Sequence, residues 1–173
     1  MKRKASRAGG PRIGFVLGSE NDLRLITRGT DLLKQFGVEF EVEISSAHRA
    51  PEKTARYARE AEGRGLRVLI GAAGYANHLA GALAANSVLP VIGLPLNTSS
   101  LNGLDALLST VQMPSGIPVA TVTIGEAGAA NAALLALQIL ATSDAGLRQA
   151  LRKHREEMAG AVARKAEEIR KRS

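Results

Sequence analysis

Residues 68–143 of this chain contain no lysine or arginine, and their only acids are Asp105 and Glu126. A stretch this long without charge has to be largely buried, and that limits the folds open to it. A membrane span would need roughly 18–20 apolar residues in succession; Asn77, His78, Asn86, Pro90, Pro95, Asn97 and Asn102 interrupt the run before that length is reached. A chain of 173 residues builds one complete core, yet it can hardly hide such a segment by itself. Burial inside a homo-oligomer is the expectation, with no membrane partner.

The segment also takes part in a regular alternation of strand and helix signals. Residues 12–17 form a short apolar strand, and Gly18-Ser19-Glu20-Asn21-Asp22 turns into a helix running to about Phe36. Residues 38–44 alternate apolar and charged side chains, the pattern of a strand near a sheet edge, and Pro51 opens a helix to about Arg64. Strands follow at 68–72, 90–93 and 119–123, with helices at 78–86, 104–111 and 127–141. Repeated βα units predict an α/β fold: a three-layer, doubly wound parallel sheet of flavodoxin or Rossmann-like type. The last element, residues 144–173, sets Leu147, Leu151, Met158, Val162 and Ile169 at helical spacing. It lies outside the βα pattern and reads as an appended C-terminal amphipathic helix for assembly. Residues 12–143 are then the α/β domain.

The net charge of +7 is concentrated at the two ends. Residues 1–12 hold five Lys/Arg and no acid, and residues 144–173 hold nine basic against five acidic side chains, so the body between them is slightly acidic. Basic flanks without interleaved aromatics are solvated ends, and no nucleic-acid partner is expected. The N-terminus lacks the apolar stretch of a secretory signal, and residues 1–11 read as a disordered basic tail. The chain has no cysteine, which excludes a thiolate metal site and a cysteine nucleophile and suits a reducing compartment, the cytoplasm. Three histidines without HxxxH or HExxH spacing make a metal site unexpected.

Chemistry is expected at the carboxyl ends of the strands, where open α/β sheets bind their ligands. In Ser45-Ser46-Ala47-His48-Arg49-Ala50-Pro51 a histidine and an arginine sit at such an end. Histidine has an ordinary pKa near neutrality and suits a general acid or base; the alternative is a turn-capping histidine beside a solvated arginine. Gly18 and Ser19 close the first strand where backbone N–H groups of a helix start favour a phosphate, although Ser19 and Asp22 also have the spacing of a capping box. The small-residue loop from Gly71 to His78 admits a ligand to its backbone, notably at Gly74. His78 is read either as a core histidine or as a substrate contact.

These stretches occur in a distinctive order: GSENDL, SSAHRAP, GAAGYANHLAG, LPVIGLPL, LNGLDALLSTVQMPSGIPVATVTIG and AGAANAALLALQILA. Over about residues 12–142 the chain resembles the bacterial-type N5-carboxyaminoimidazole ribonucleotide mutases of purine biosynthesis, the PurE family. The resemblance implies an enzyme without cofactor or metal. It implies transfer of a carboxylate from the exocyclic nitrogen of a small-molecule nucleotide substrate to ring carbon C4, by decarboxylation and recapture of carbon dioxide. His48 is then the acid/base, Ser19 and Asp22 match the substrate-binding GSxSD motif with Asp22 facing the ribose hydroxyls, and Ser46 and Arg49 match positions near the phosphate. It also implies an octamer. Two relatives in chemistry stand as alternatives: a direct carboxylase using free carbon dioxide, and a silent nucleotide-binding homologue. The chain departs from the family's AGAGGAAHLPG loop, where Tyr75 takes a glycine position, and from GSxSD, where the second serine is Asn21.

Overall fold

In the computed structural model, which describes residues 12–172, the expected alternation appears element by element. The basic tail assigned to residues 1–11 lies outside the described residues. In chain order, β1 (Ile13–Leu17) leads through a 3-10 helix (Glu20–Ile26) into α1 (Thr27–Gln35). Then come β2 (Phe40–Ile44), α2 (Pro51–Glu60), β3 (Val68–Ala73), α3 (Leu79–Ala85), β4 (Val91–Pro95), α4 (Leu104–Val111), β5 (Ala120–Thr121), α5 (Gly125–Ala141) and α6 (Ala145–Arg170).

All pairings among the described strands are parallel, in the order β2-β1-β3-β4-β5. That is the flavodoxin-like doubly wound order. Right-handed crossovers then set α1 on one face and α2, α3 and α4 on the other. The start of α5 joins α1, since a Cβ added to Gly29 would run into the Ala129 carbonyl. β1, β3 and β4 are almost wholly buried, which is why they read as continuous apolar runs. Each fully buried Ile13, Phe15, Leu69 or Ile70 contributes about 1.5–3 kcal/mol over an exposed side chain. Between the sheet and helices α2 and α3, Tyr57, Ala58, Leu66, Leu69, Leu79 and Leu83 form a core cluster.

Two expectations need correction. The first helix does not start as an α-helix: residues 20–26 are 3-10, and the α-form begins at Thr27. β5 shrinks from the expected residues 119–123 to Ala120–Thr121, at the border where the sheet runs out. β2 is an edge strand as its pattern suggests, and its charged residues take the inner face. Val42 and Ile44 are exposed, whereas Glu41 and Glu43 turn toward α2 and meet cations there. The uncharged segment is not buried throughout within one chain, in keeping with the expectation that one domain can hardly hide it alone: Val88, Leu101, Leu104, Leu108 and Val111 are exposed. An Asn-Gly turn precedes α4, with both Asn102 (φ 52°) and Gly103 (φ 87°) left-handed.

The chain divides into two compact units, residues up to Ala136 and residues from Leu137 onward. In the second, the Asp144 side chain caps α6 by accepting from the Leu147 N–H at 3.0 Å. Arg148 donates to the Ala141 carbonyl at 3.1 Å, satisfying one of the last carbonyls of α5. Of the expected apolar stripe, Leu147 is buried, while Met158, Val162 and Ile169 are exposed. No helix among the described residues is long and apolar enough to cross a membrane.

Candidate active site

The strand order reverses between β1 and β3: the chain leaves β1 toward β2 on one side, and β3 toward β4 on the other. Loops leaving those two strands diverge, and the crevice between them is the place where such sheets bind ligands. A cavity of about 1300 Å³ opens there. Four strand ends contribute to its wall: residues 18–22 after β1, 46–49 after β2, 73–76 after β3, and Asn97 and Thr98 after β4.

His48 and His78, thirty residues apart in sequence, meet with Nε2 of His48 2.8 Å from Nδ1 of His78. Their rings cross edge to face with centroids 4.9 Å apart. A hydrogen bond between two ring nitrogens holds one hydrogen, so one ring donates while the other presents a lone pair. The pair therefore carries at most one positive charge in this geometry. His78 is exposed, which overturns the core-histidine reading. Its neighbour Asn77 takes the buried position instead, with its N–H on Ser109 Oγ (2.8 Å) and its Nδ2 on the Leu94 carbonyl (3.3 Å). Burying Asn77 turns His78 outward, at the residue preceding α3, where its side chain makes no capping bond.

The loop after β2 is tied to the loop after β1. Arg49 donates to the Gly18 carbonyl at 3.3 Å, and Ser46 Oγ accepts the Arg49 N–H at 3.2 Å. Arg49 is thus more than a solvated charge: one nitrogen fixes the crevice wall while the guanidinium lines the cavity. Beneath it, buried Ser45 and Thr54 share a 2.8 Å hydroxyl contact that anchors the turn to α2.

Ser19 does cap the 3-10 helix, its Oγ accepting from the Asn21 N–H at 3.3 Å, and the Asp22 N–H returns to the Ser19 carbonyl at 3.2 Å. Less of the N–H set is open to a ligand than a full α-helix would offer, so anion binding here falls to side chains. Asp22 is buried, only 5 % exposed. Burial pushes its carboxyl above the ordinary carboxylate range, and a hydrogen bond from the Ser19 backbone only partly offsets this. Among the described residues no cation pairs with it.

Gly74 lies so close to Thr98 that an added Cβ would overlap the threonine Oγ1. Tyr75 follows in the left-handed region at φ 53°, a conformation that costs a bulky residue about 1–3 kcal/mol. Asn97 and Thr98 were not singled out from the sequence. The signal was there, since they directly follow a strand end by the same rule that marks His48. Arg24 also reaches the cavity wall and was missed; nothing in its local sequence separates it from the other helix-face arginines. Every residue proposed from the sequence (Ser19, Asp22, Ser46, His48, Arg49, Gly74 and His78) either lines this cavity or, for His78, bonds to one that does.

A family model described as AIR carboxylase matches residues 12–161. The chain belongs to the AIR carboxylase family. The N5-carboxyaminoimidazole ribonucleotide mutase of Pyrococcus abyssi is 50% identical over 152 residues, covering 88% of this chain and 86% of its own. The mutase of Bacillus subtilis is 47% identical over 146 residues, covering 84% and 90%. Among solved structures, Treponema denticola PurE superposes with a TM-score of 0.80 at 29% identity, over 89% of this chain and 95% of that one. For a member of the AIR carboxylase family, the crevice just described is the place to look for the chemistry.

Proposed function

We propose that this AIR carboxylase family member converts N5-carboxyaminoimidazole ribonucleotide to 4-carboxyaminoimidazole ribonucleotide in de novo purine biosynthesis. The observation that carries the reading is the 2.8 Å contact between His48 and His78 at the rim of a strand-end cavity that also holds Asp22 and Arg49.

The reaction needs two proton transfers, one to nitrogen and one from carbon. As the N–carboxylate bond breaks, carbon dioxide leaves and the exocyclic nitrogen takes a proton from protonated His48. Ring carbon C4 then attacks the trapped carbon dioxide, and His48, now neutral, removes the C4 proton to restore the aromatic ring. Proton count and charge balance, and the histidine ends as it began. His78 orients the His48 ring through the shared hydrogen. Asp22, with no cation beside it among the described residues, has acceptor capacity to spare and suits the ribose hydroxyls as donors. Arg49 and Ser46 suit the phosphate, and Gly74 offers its backbone without a side chain in the way. Among the described residues no lysine lines the cavity, so carbon dioxide meets no amine to react with there and stays near its target.

The same reading assigns the exposed apolar residues Leu101, Leu104, Leu108 and Val111, with the outer stripe of α6, to self-association. An octamer in the cytoplasm is the arrangement implied by the resemblance; light scattering of the purified protein tests the number.

The deciding assay compares N5-carboxyaminoimidazole ribonucleotide with aminoimidazole ribonucleotide plus bicarbonate, following absorbance of the C4-carboxylated product. Fast conversion of the first alone supports the mutase. Conversion of only the second would make the protein a direct carboxylase, and failure of both would make it a silent binder.

A further inference from the structure

Tyr75 combines three properties that do not belong together in a residue with a purely structural role. It holds a left-handed backbone, a region shared among the described non-glycine residues only by Asn102, and asparagine tolerates that region through its short polar side chain. The residue is 64% exposed, so packing repays little of the strain. And it forms part of the wall of the cavity that holds His48 and Asp22.

The backbone around it has no room to relax. On one side Gly74 is pressed against Thr98, where not even a Cβ fits. On the other, Asn77 is buried and bonded through both its N–H and its side-chain amide. The tip between these anchors is held in one direction, and that direction keeps a large aromatic ring in water at the cavity wall. Strain that the free protein leaves unrepaid is repaid by something that binds.

The geometry points to Tyr75 as a substrate-contacting residue whose ring covers the flat imidazole of the bound nucleotide. This inference rests on the reaction proposed above and assigns the cavity an aromatic cover of this chain's own. An aromatic face stacks on a planar heterocycle and displaces the water above it. Carbon dioxide freed beneath it is small, neutral and held by no strong bond, so a covered mouth decides whether it is recaptured or lost. Tyr75 then determines how completely decarboxylation ends in the carboxylated product.

The chain has no tryptophan and only two tyrosines, Tyr57 buried and Tyr75 exposed, so acrylamide quenching of tyrosine emission reports on Tyr75. Aminoimidazole ribonucleotide without bicarbonate is the probe, since it fills the site without reacting. Saturation is expected to lower the quenching constant severalfold, and the response should vanish in Tyr75→Phe. In Tyr75→Gly the melting temperature should rise by about 2–4 °C as strain is relieved. Its kcat/KM should fall about tenfold, the worth of one stacked ring, and a larger share of turnovers should end as free aminoimidazole ribonucleotide. Unchanged quenching at probe concentrations where calorimetry registers binding would overturn the assignment. So would a Tyr75→Gly enzyme with wild-type kcat/KM and product share, or a tyrosine already shielded before ligand and uncovered on dilution, which would mean that a second copy covers it. Protection by the probe in a wild-type protein inert toward N5-carboxyaminoimidazole ribonucleotide would uphold the contact while removing the reaction.

Discussion

Glu41 and Asp22 are carboxylates within the same small α/β unit, and the structure surrounds them in opposite ways. Glu41, on the edge strand, accepts from the Tyr57 hydroxyl at 2.8 Å and from Arg64 at 3.1 Å, with the Arg64 guanidinium also lying over the Tyr57 ring. Its neighbour Glu43 holds Lys53 at 2.6 Å. Burial and the Glu41 hydrogen bond together push the Tyr57 phenol well above its ordinary pKa, so it stays a neutral donor. Asp22 is more deeply buried than either glutamate, and among the described residues a backbone N–H supports it and no cation does. Glu41 and Glu43, which serve the fold, are paired with donors from α2 and the turn after it. Asp22, which faces the cavity, keeps acceptor capacity open, at a cost in stability, for a ligand to fill.

Mutations on the two sides should therefore behave differently. The largest effect is expected from His48→Asn. Loss of the proton carrier should lower kcat by about 10²–10⁴ with the melting curve unmoved; surviving activity would mean that the cavity polar groups only hold the loops. Asp22→Asn should lower kcat/KM by about 10–100-fold, the worth of one or two hydrogen bonds to a charged group, while raising stability at pH 7. The sign follows from the raised carboxyl: the native state binds this proton more tightly than the unfolded chain does. Its contribution is therefore full below the unfolded value near 3.9 and lost as pH rises through the native one. Thermal melts across pH should accordingly show the advantage of Asn disappear toward pH 4.

On the α2 side the outcome reverses. Tyr57→Phe should cost about 1 kcal/mol in denaturant unfolding, the net worth of a buried hydrogen bond, with kcat and KM unchanged. Lys53→Met should cost less, under about 1 kcal/mol as a half-exposed ion pair, and that loss should shrink further in high salt. A drop in turnover from either variant would break the division between the two sides.

Much of this was legible in sequence because local patterns set it. The elements, the parallel sheet and the edge position of β2 follow from periodicity and from the alternation of strand and helix. The place of His48 follows from the rule that strand ends carry ligand sites. What stayed hidden depended on distant partners. No local pattern tells whether His78 points inward, since that is decided by Asn77 reaching Leu94 and Ser109. Alternation on β2 fixes which residues share a face but not which face turns to α2; Lys53 and Arg64, supplied from later in the chain, pull the glutamates there. The shortness of β5 depends on where the sheet runs out, which its own apolar residues do not encode.

The two borders of the sheet also bear on crowding. One ends in a strand of two residues, too short to offer an incoming chain more than a rung or two of backbone pairing. The other, β2, bears two glutamates already engaged with cations, so a foreign strand docking there would meet a charged margin. Strand-by-strand growth into fibres is blocked at both borders. Copies of this chain can be gathered at high density through helices and loops without the sheet itself becoming a template.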